Sequence, residues 1–273
     1  MSYIEAIKKR ISVRTYSDEP IADETLKKVE EIISVSNNPF GADVRFSLLK
    51  KDNTEGKLGT YGFIKGPKVF IAGCMKESEK DLEGYGYAFE KVILELTKIG
   101  LSTCWLGGTF SRGGFAKSVQ LQDNEILPCV TPIGYTGKKK SLMGRIAGVG
   151  AGARKRIPFE QLFFDGGFYE PLELGDGALK TCLEMVRQAP SASNKQPWRV
   201  LKQDNSLHFY LAKTKNYSGN SAFGFCMQRI DLGIAACHFE LAAKENGLKG
   251  NITVNDPGIN TDFEYSFTWT GVQ

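Results

Sequence analysis

Pro190-Ser191-Ala192-Ser193-Asn194-Lys195-Gln196-Pro197-Trp198 is the stretch on which the reading of this chain turns. It follows a run in which Leu179, Leu183 and Val186 recur at i, i+4 and i+7, the buried stripe of a helix ending near Arg187. Pro190 stops that helix, and small hydroxyl and amide side chains come next. The loop is short of bulk and rich in donors and acceptors, so it suits a planar polar ligand, with Ser191 and Asn194 reaching ring heteroatoms. A capped turn whose Ser and Asn satisfy only local backbone has the same composition.

The plan of this region occurs twice. Residues 26–49 (LKKVEEIISVSNNPFGADVRFSLL) and 179–202 (LKTCLEMVRQAPSASNKQPWRVLK) both read as helix, Ser/Asn/Pro loop, aromatic and strand. GYAFEKVILELTKIGL (86–101) matches GIAACHFELAAKENGL (233–248) without gaps. This is an internal duplication at about half the chain length, dividing it into a first half, 1–165, and a shortened second half, 166–273.

The halves carry different parts. Ile4, Ile7 and Ile11 form a short helical stripe after a Ser2 N-cap. If the chain then extends, Arg10, Ser12 and Arg14 project to one side, a fork for phosphate or for ring and ribityl oxygens. A solvated basic helix end is the simpler alternative. Residues 23–33 read as a helix with Leu26, Val29 and Ile33 inward, and Val44, Phe46 and Leu48 as a half-buried strand. Lys68–Ala72 is strand-like, and a long helix at 80–99 stops at Gly100. Gly107 and Gly108 follow the apolar Leu101–Leu106 segment, where bare backbone allows either close ligand approach or a tight turn. The first half's own loop is the degenerate Ser36-Asn37-Asn38-Pro39-Phe40. At the end of the second half, Phe263, Tyr265, Phe267 and Trp269 alternate as a strand.

The net charge of +4 is concentrated: Lys138 to Arg156 holds seven Lys or Arg and no acid. That argues for a local anion site, and without interleaved aromatics it argues against nucleic acid. Gly148-Val149-Gly150-Ala151-Gly152 lacks the strand–turn–helix context of a dinucleotide loop. Six cysteines without metal-ligand spacing read as reduced, mostly buried thiols, and no metal site is expected. No apolar run approaches a membrane span and the N-terminus lacks a signal-peptide core, so a cytoplasmic, enzyme-like protein without a membrane partner is expected.

Taken together, the 190–198 loop, Arg10-x-Ser12-x-Arg14, the Gly100–Gly108 segment and Ile133-Gly134-Tyr135 before a basic tail resemble the FMN-dependent nitroreductase family, most nearly its single-chain pseudo-dimers. The resemblance implies an α+β fold: a central, mainly antiparallel sheet flanked by helices, duplicated within one chain that is monomeric. It implies FMN bound by Arg10, Ser12, Arg14, Leu106, Gly107, Gly108, Arg154 and Arg156 of the first half. Pro190, Ser191, Ala192 and Asn194 of the second would complete the site. In the family the glycine segment offers a backbone N–H toward flavin N5, and the basic pair holds the phosphate. NADH or NADPH would be the reductant and a small electron-poor molecule the acceptor, with no catalytic side chain of the protein's own. One departure stands out. Residues 59–63 (Gly-Thr-Tyr-Gly-Phe) lack the basic side chain that many members place near the flavin N1–C2 edge. A flavin-binding protein without turnover, and a scaffold that has lost the flavin, are the competing readings.

Overall fold

Ser2 opens the first helix, α1 (Tyr3–Lys9), through a capping box in which its hydroxyl accepts from Glu5 N–H and the Glu5 carboxylate accepts in return. The helix ends before Ile11, which is exposed, so only the Ile4 and Ile7 part of the expected stripe faces inward. The computed structural model describes residues 1–137, 155–217, 219 and 223–272.

In the first half, α2 (Asp23–Ile33) buries Leu26, Val29 and Ile33 as its spacing demands. Strands β1 (Val44–Lys50), β2 (Val69–Lys76) and β3 (Glu125–Ile133) form an antiparallel sheet in that order. β1 is covered on both faces: Phe46 and Leu48 pack on the main core, while Leu49 is buried in a second cluster with Phe70 and Phe115. Between β2 and β3 come α3 (Asp81–Lys98) and α4 (Arg112–Ser118). Gly100, at φ +86°, supplies the left-handed turn that closes α3. The apolar Leu101–Leu106 segment makes isolated bridges, Ser12 with Thr103 and Leu106 with Val130, and no continuous strand.

The second sheet has the order β5-β4-β6-β7-β9-β8. Its strands are β4 (Phe163–Asp165), β5 (Gly167–Pro171), β6 (Trp198–Gln203), β7 (Ser206–Leu211), β8 (Asn251–Thr253) and β9 (Glu264–Thr270). All its pairs are antiparallel except β4 with β6. Helices α5 (Ala178–Gln188) and α6 (Met227–Glu245) complete this half. The expected alternation along 263–269 breaks at a bulge: Phe209 pairs with Phe267, but Tyr210 pairs with Tyr265. One extra residue reverses the face. Phe267 stacks on Phe209 in the core, whereas Tyr265 joins Tyr210 and Phe168 on the opposite side.

The duplication is visible where α3 and α6 cross. A Cβ on Gly86 would stand 2.1 Å from the Ile230 carbonyl oxygen, and one on Gly233 would stand 1.9 Å from that of Glu83. Gly233 is the counterpart of Gly86 in the ungapped match, and Ile230 is the counterpart of Glu83 by the same offset. The contact is therefore reciprocal, as in a twofold dimer interface, but within one chain. Gly86→Ala and Gly233→Ala should each destabilise the fold by about 1–3 kcal/mol, because backbone cannot yield as a side chain does. Urea midpoints measure this, and unchanged midpoints in both variants would refute the close crossing.

The two halves also exchange ends. The backbone N–H groups of Tyr3 and Ile4 donate to the Glu245 carboxylate at the end of α6, at 2.5 and 3.0 Å. From the other direction, Ser266 on β9 donates to Glu83 on α3. No helix among the described residues is long and apolar enough to cross a membrane.

Candidate functional site

The α3–α6 pair carries a buried polar network that reaches the Arg10–Arg14 segment. Glu90 on α3 is fully buried; it accepts from Trp105 Nε1 at 2.7 Å and meets His238 Nε2 of α6 at 3.0 Å. Arg10 Nε lies 3.8 Å from the same carboxylate. Glu90 thus ties Arg10, Trp105 and both halves together. Val13 is buried and its N–H bonds the Thr103 carbonyl, so the chain runs extended here and Arg10, Ser12 and Arg14 share one side.

These three side chains line a cavity of about 380 Å³, within the range of small-molecule sites. Across it lies the 190–194 loop of the second half. Of the expected residues, Arg10, Ser12, Arg14, Gly107, Gly108, Arg156, Pro190, Ser191, Ala192 and Asn194 all line this cavity. Leu106 does not. Its side chain is buried in the second hydrophobic cluster, and its N–H and carbonyl both pair with Val130, so it is a packing residue. Arg154 and Gly148–Gly152 lie outside the described residues.

The cationic end is crowded. Arg156 donates to the Asn194 side-chain oxygen at 3.0 Å and to the Gln188 carbonyl at 3.1 Å. Burial, and then the charges of Arg10 and Arg187, push its pKa down. Arg10 Nη1 is buried and makes no hydrogen bond with any described residue. Guanidiniums this close, one with an unpaired buried donor, are what an anion or a row of polar oxygens would relieve.

The loop opposite is strained. Ser193, Asn194 and Gln196 all have φ near +50°, which is costly for side chains other than Gly or Asn. Ser191 Oγ accepts from Gln196 N–H at 2.9 Å, and Asn194 Nδ2 donates to the Lys155 carbonyl at 2.8 Å. Asn194 therefore also acts through its neighbours, pinning residues 155–156 to the loop. The first half's counterpart is closed on itself: Asn38 Oδ1 accepts from Phe40 and Ala42 N–H, and its amide donates back to the Ala42 carbonyl.

The glycine pair makes room for side chains of the second half. A Cβ on Gly107 would meet Met227 at 2.6 Å, and one on Gly108 would meet Phe223 at 3.2 Å. The N–H groups of Gly107 and Gly108 bond no other described residue. Behind them, Arg112 donates to the Gly107, Leu127 and Pro128 carbonyls and stacks on Phe223. No side chain of residues 59–65 lines the cavity.

Sequence reasoning missed Arg112, Tyr217, Met227 and Asp231. Only Asp231 left a signal, an acid between Ile230 and Leu232 in a helix apolar on all sides. Cys129 also lines the cavity, its thiol pushed up to about 12 by burial and so held protonated. No group of three or more His, Cys, Asp or Glu among the described residues is arranged to hold a metal ion.

A family model described as "Putative TM nitroreductase" matches residues 2–243. Among solved structures, a nitroreductase described as putative from Thermotoga maritima MSB8 is 21% identical, with a TM-score of 0.63; the match covers 100% of this chain and 95% of that one. A nitroreductase family protein from Clostridium difficile 630 is 19% identical over 59% of this chain and 96% of that one, with a TM-score of 0.44. An FMN-dependent nitroreductase from Clostridium difficile R20291 is 18% identical over 50% of this chain and 90% of that one, with a TM-score of 0.42. Among curated proteins none matches.

Proposed function

The chain belongs to the family described as "Putative TM nitroreductase", a family of oxidoreductases, and from that premise we propose that it is an FMN-dependent NAD(P)H oxidoreductase with one composite site. The observation that carries this reading is the cavity with Arg10, Ser12, Arg14 and Arg156 on one side and the 190–194 loop on the other.

Bound FMN would supply the redox chemistry, a ping-pong hydride transfer from NADH or NADPH to a nitroaromatic, quinone or similar electron-poor acceptor. The protein's own residues bind and orient. Arg10, Arg14, Arg156 and, by the family resemblance, Arg154 take the phosphate and ribityl end. Ser12, Ser191 and the Gly107 and Gly108 N–H groups offer donors to polar atoms of the ring system. Pro190, Ala192, Met227 and Phe223 exclude water and keep the ring flat. Small-molecule acceptors need no protein partner, and the duplicated chain would act as a monomer with a dimer's architecture.

The experiment is spectroscopic. The purified protein should be yellow, should carry one FMN per 30.1 kDa chain after saturation, and should bleach on anaerobic addition of NADH or NADPH and recover with an acceptor. A colourless protein that takes up no FMN would overturn the reading, and two FMN per chain would overturn the composite site. The cavity's lack of a side chain from 59–65 favours the second reading, a flavin carrier or sensor, since a cation near N1 would stabilise reduced flavin. Yellow protein that neither nicotinamide bleaches would establish that alternative.

A further inference from the structure

Asp231 is an acid with no evident partner for its charge. It sits on the first turns of α6, is 2% exposed, and lines the cavity described above. Its Oδ1 accepts the Ala192 N–H at 2.9 Å, while its Oδ2 is buried and has no hydrogen-bond partner among the described residues. No Lys, Arg or His among the described residues lies within ion-pair distance of it. Met227, Ile230 and Ile234 from its own helix and Phe223 from the preceding loop line the same cavity.

The duplication adds an independent observation. By the offset that matches Gly86 with Gly233, the counterpart of Asp231 is Gly84. There a Cβ would collide with Asn38 Oδ1 of the closed first-half loop at 2.6 Å. The helix crossing therefore does not require an acid at this position. The acid is present only in the half whose loop faces the cavity.

We propose that Asp231 is a neutral carboxylic acid at the cavity wall whose Oδ2–H turns toward a bound flat heteroaromatic ligand and donates to its carbonyl oxygen or ring nitrogen. An ionised carboxylate there would meet no cation and would lie against apolar side chains, whereas the acid form has one acceptor oxygen satisfied and one donor to offer. This rests on the flavin reading for the ligand's identity, but not for the state of the acid. Burial raises the Asp231 pKa well above the usual carboxylate range, with the Ala192 N–H opposing it.

The other groups facing this region are few. Cys129 on β3 and Tyr217 beside Ser193 are both held protonated by burial. Arg10, Arg14 and Arg156 line the cavity, and on α3 the carboxylates Glu83 and Glu90 are engaged with Arg229 and with Trp105 and His238. The sign of the linkage follows. A ligand that accepts from the acid raises its pKa further, so the extra affinity is fully present below the pKa of the free protein and is lost as pH rises through that of the complex.

The test uses riboflavin, which has no phosphate to titrate, and the full chain. As pH is raised through the titration of the acid, wild-type affinity should fall by about tenfold or more as the donor is lost. Asp231→Asn keeps both a donor and the acceptor for Ala192, and should bind at all pH values about as tightly as the wild type does at low pH. Affinity that falls as pH is lowered overturns the proposal. Infrared difference spectra of the ligand-free proteins decide the protonation state separately: a protonated-carboxyl band at neutral pH, absent from Asp231→Asn, is expected. Its absence from the wild type overturns the proposal. If riboflavin and FMN both fail to bind the wild type, the flavin reading falls, and the infrared band alone decides whether Asp231 is the neutral donor.

Discussion

Expressed alone, residues 1–165 will aggregate or self-associate and will fail to hold FMN, and residues 166–273 supplied in trans will restore binding. The physical reason is the α3–α6 crossing. Fifteen of the eighteen residues of α3 and sixteen of the nineteen of α6 are buried, so each helix is covered on all sides and each half covers the other. Separating them uncovers the face of α3 that meets α6, including Tyr87, whose hydroxyl donates to Glu240 across the crossing. It also strands Glu90 without His238, and Glu83 without Arg229 and Ser266. The α1 helix loses Glu245 from its N-terminus. Size-exclusion chromatography and flavin fluorescence read the outcome. A soluble monomer of 1–165 that binds FMN as tightly as the whole chain would mean that the 190–198 loop serves something else.

Reversing charge at the arginine end will separate FMN from riboflavin. Arg14→Glu and Arg156→Glu should each weaken FMN by about 1.5–3 kcal/mol per lost charge-assisted contact, while riboflavin changes far less. Arg14 is the cleaner probe. The Arg156 guanidinium also braces the Gln188 carbonyl and Asn194, so its loss will disturb the 190–194 loop and carry some cost to riboflavin as well. The preference for FMN should shrink with added salt less than a surface ion pair would, because the cavity shields these cations. Equal weakening of both ligands in both variants would mean that these arginines serve the ring or the fold and not the phosphate.

Periodicity and punctuation determined the local elements of this protein. Helix α2 runs over 23–33 because Leu26, Val29 and Ile33 leave one stripe to bury, and the helix ending at Gln188 stops where Pro190 removes its donor. The duplication and the two segments that face each other across the cavity were legible for the same reason, since two copies of one plan keep similar apolar spacing and turn residues. What the tertiary structure decided are matters of register and company. The bulge that turns Tyr265 away from Phe267 is set by pairing with β7, which the alternation along 263–269 does not encode. Leu106 belongs to packing because Val130 takes both its backbone groups, and Val130 is remote in sequence. Gly86 and Gly233 matter because each faces the other helix's backbone, and Asp231 because its described neighbours leave one oxygen with nothing to bond. A sequence lists which groups need partners; only the folded chain determines which of them go without.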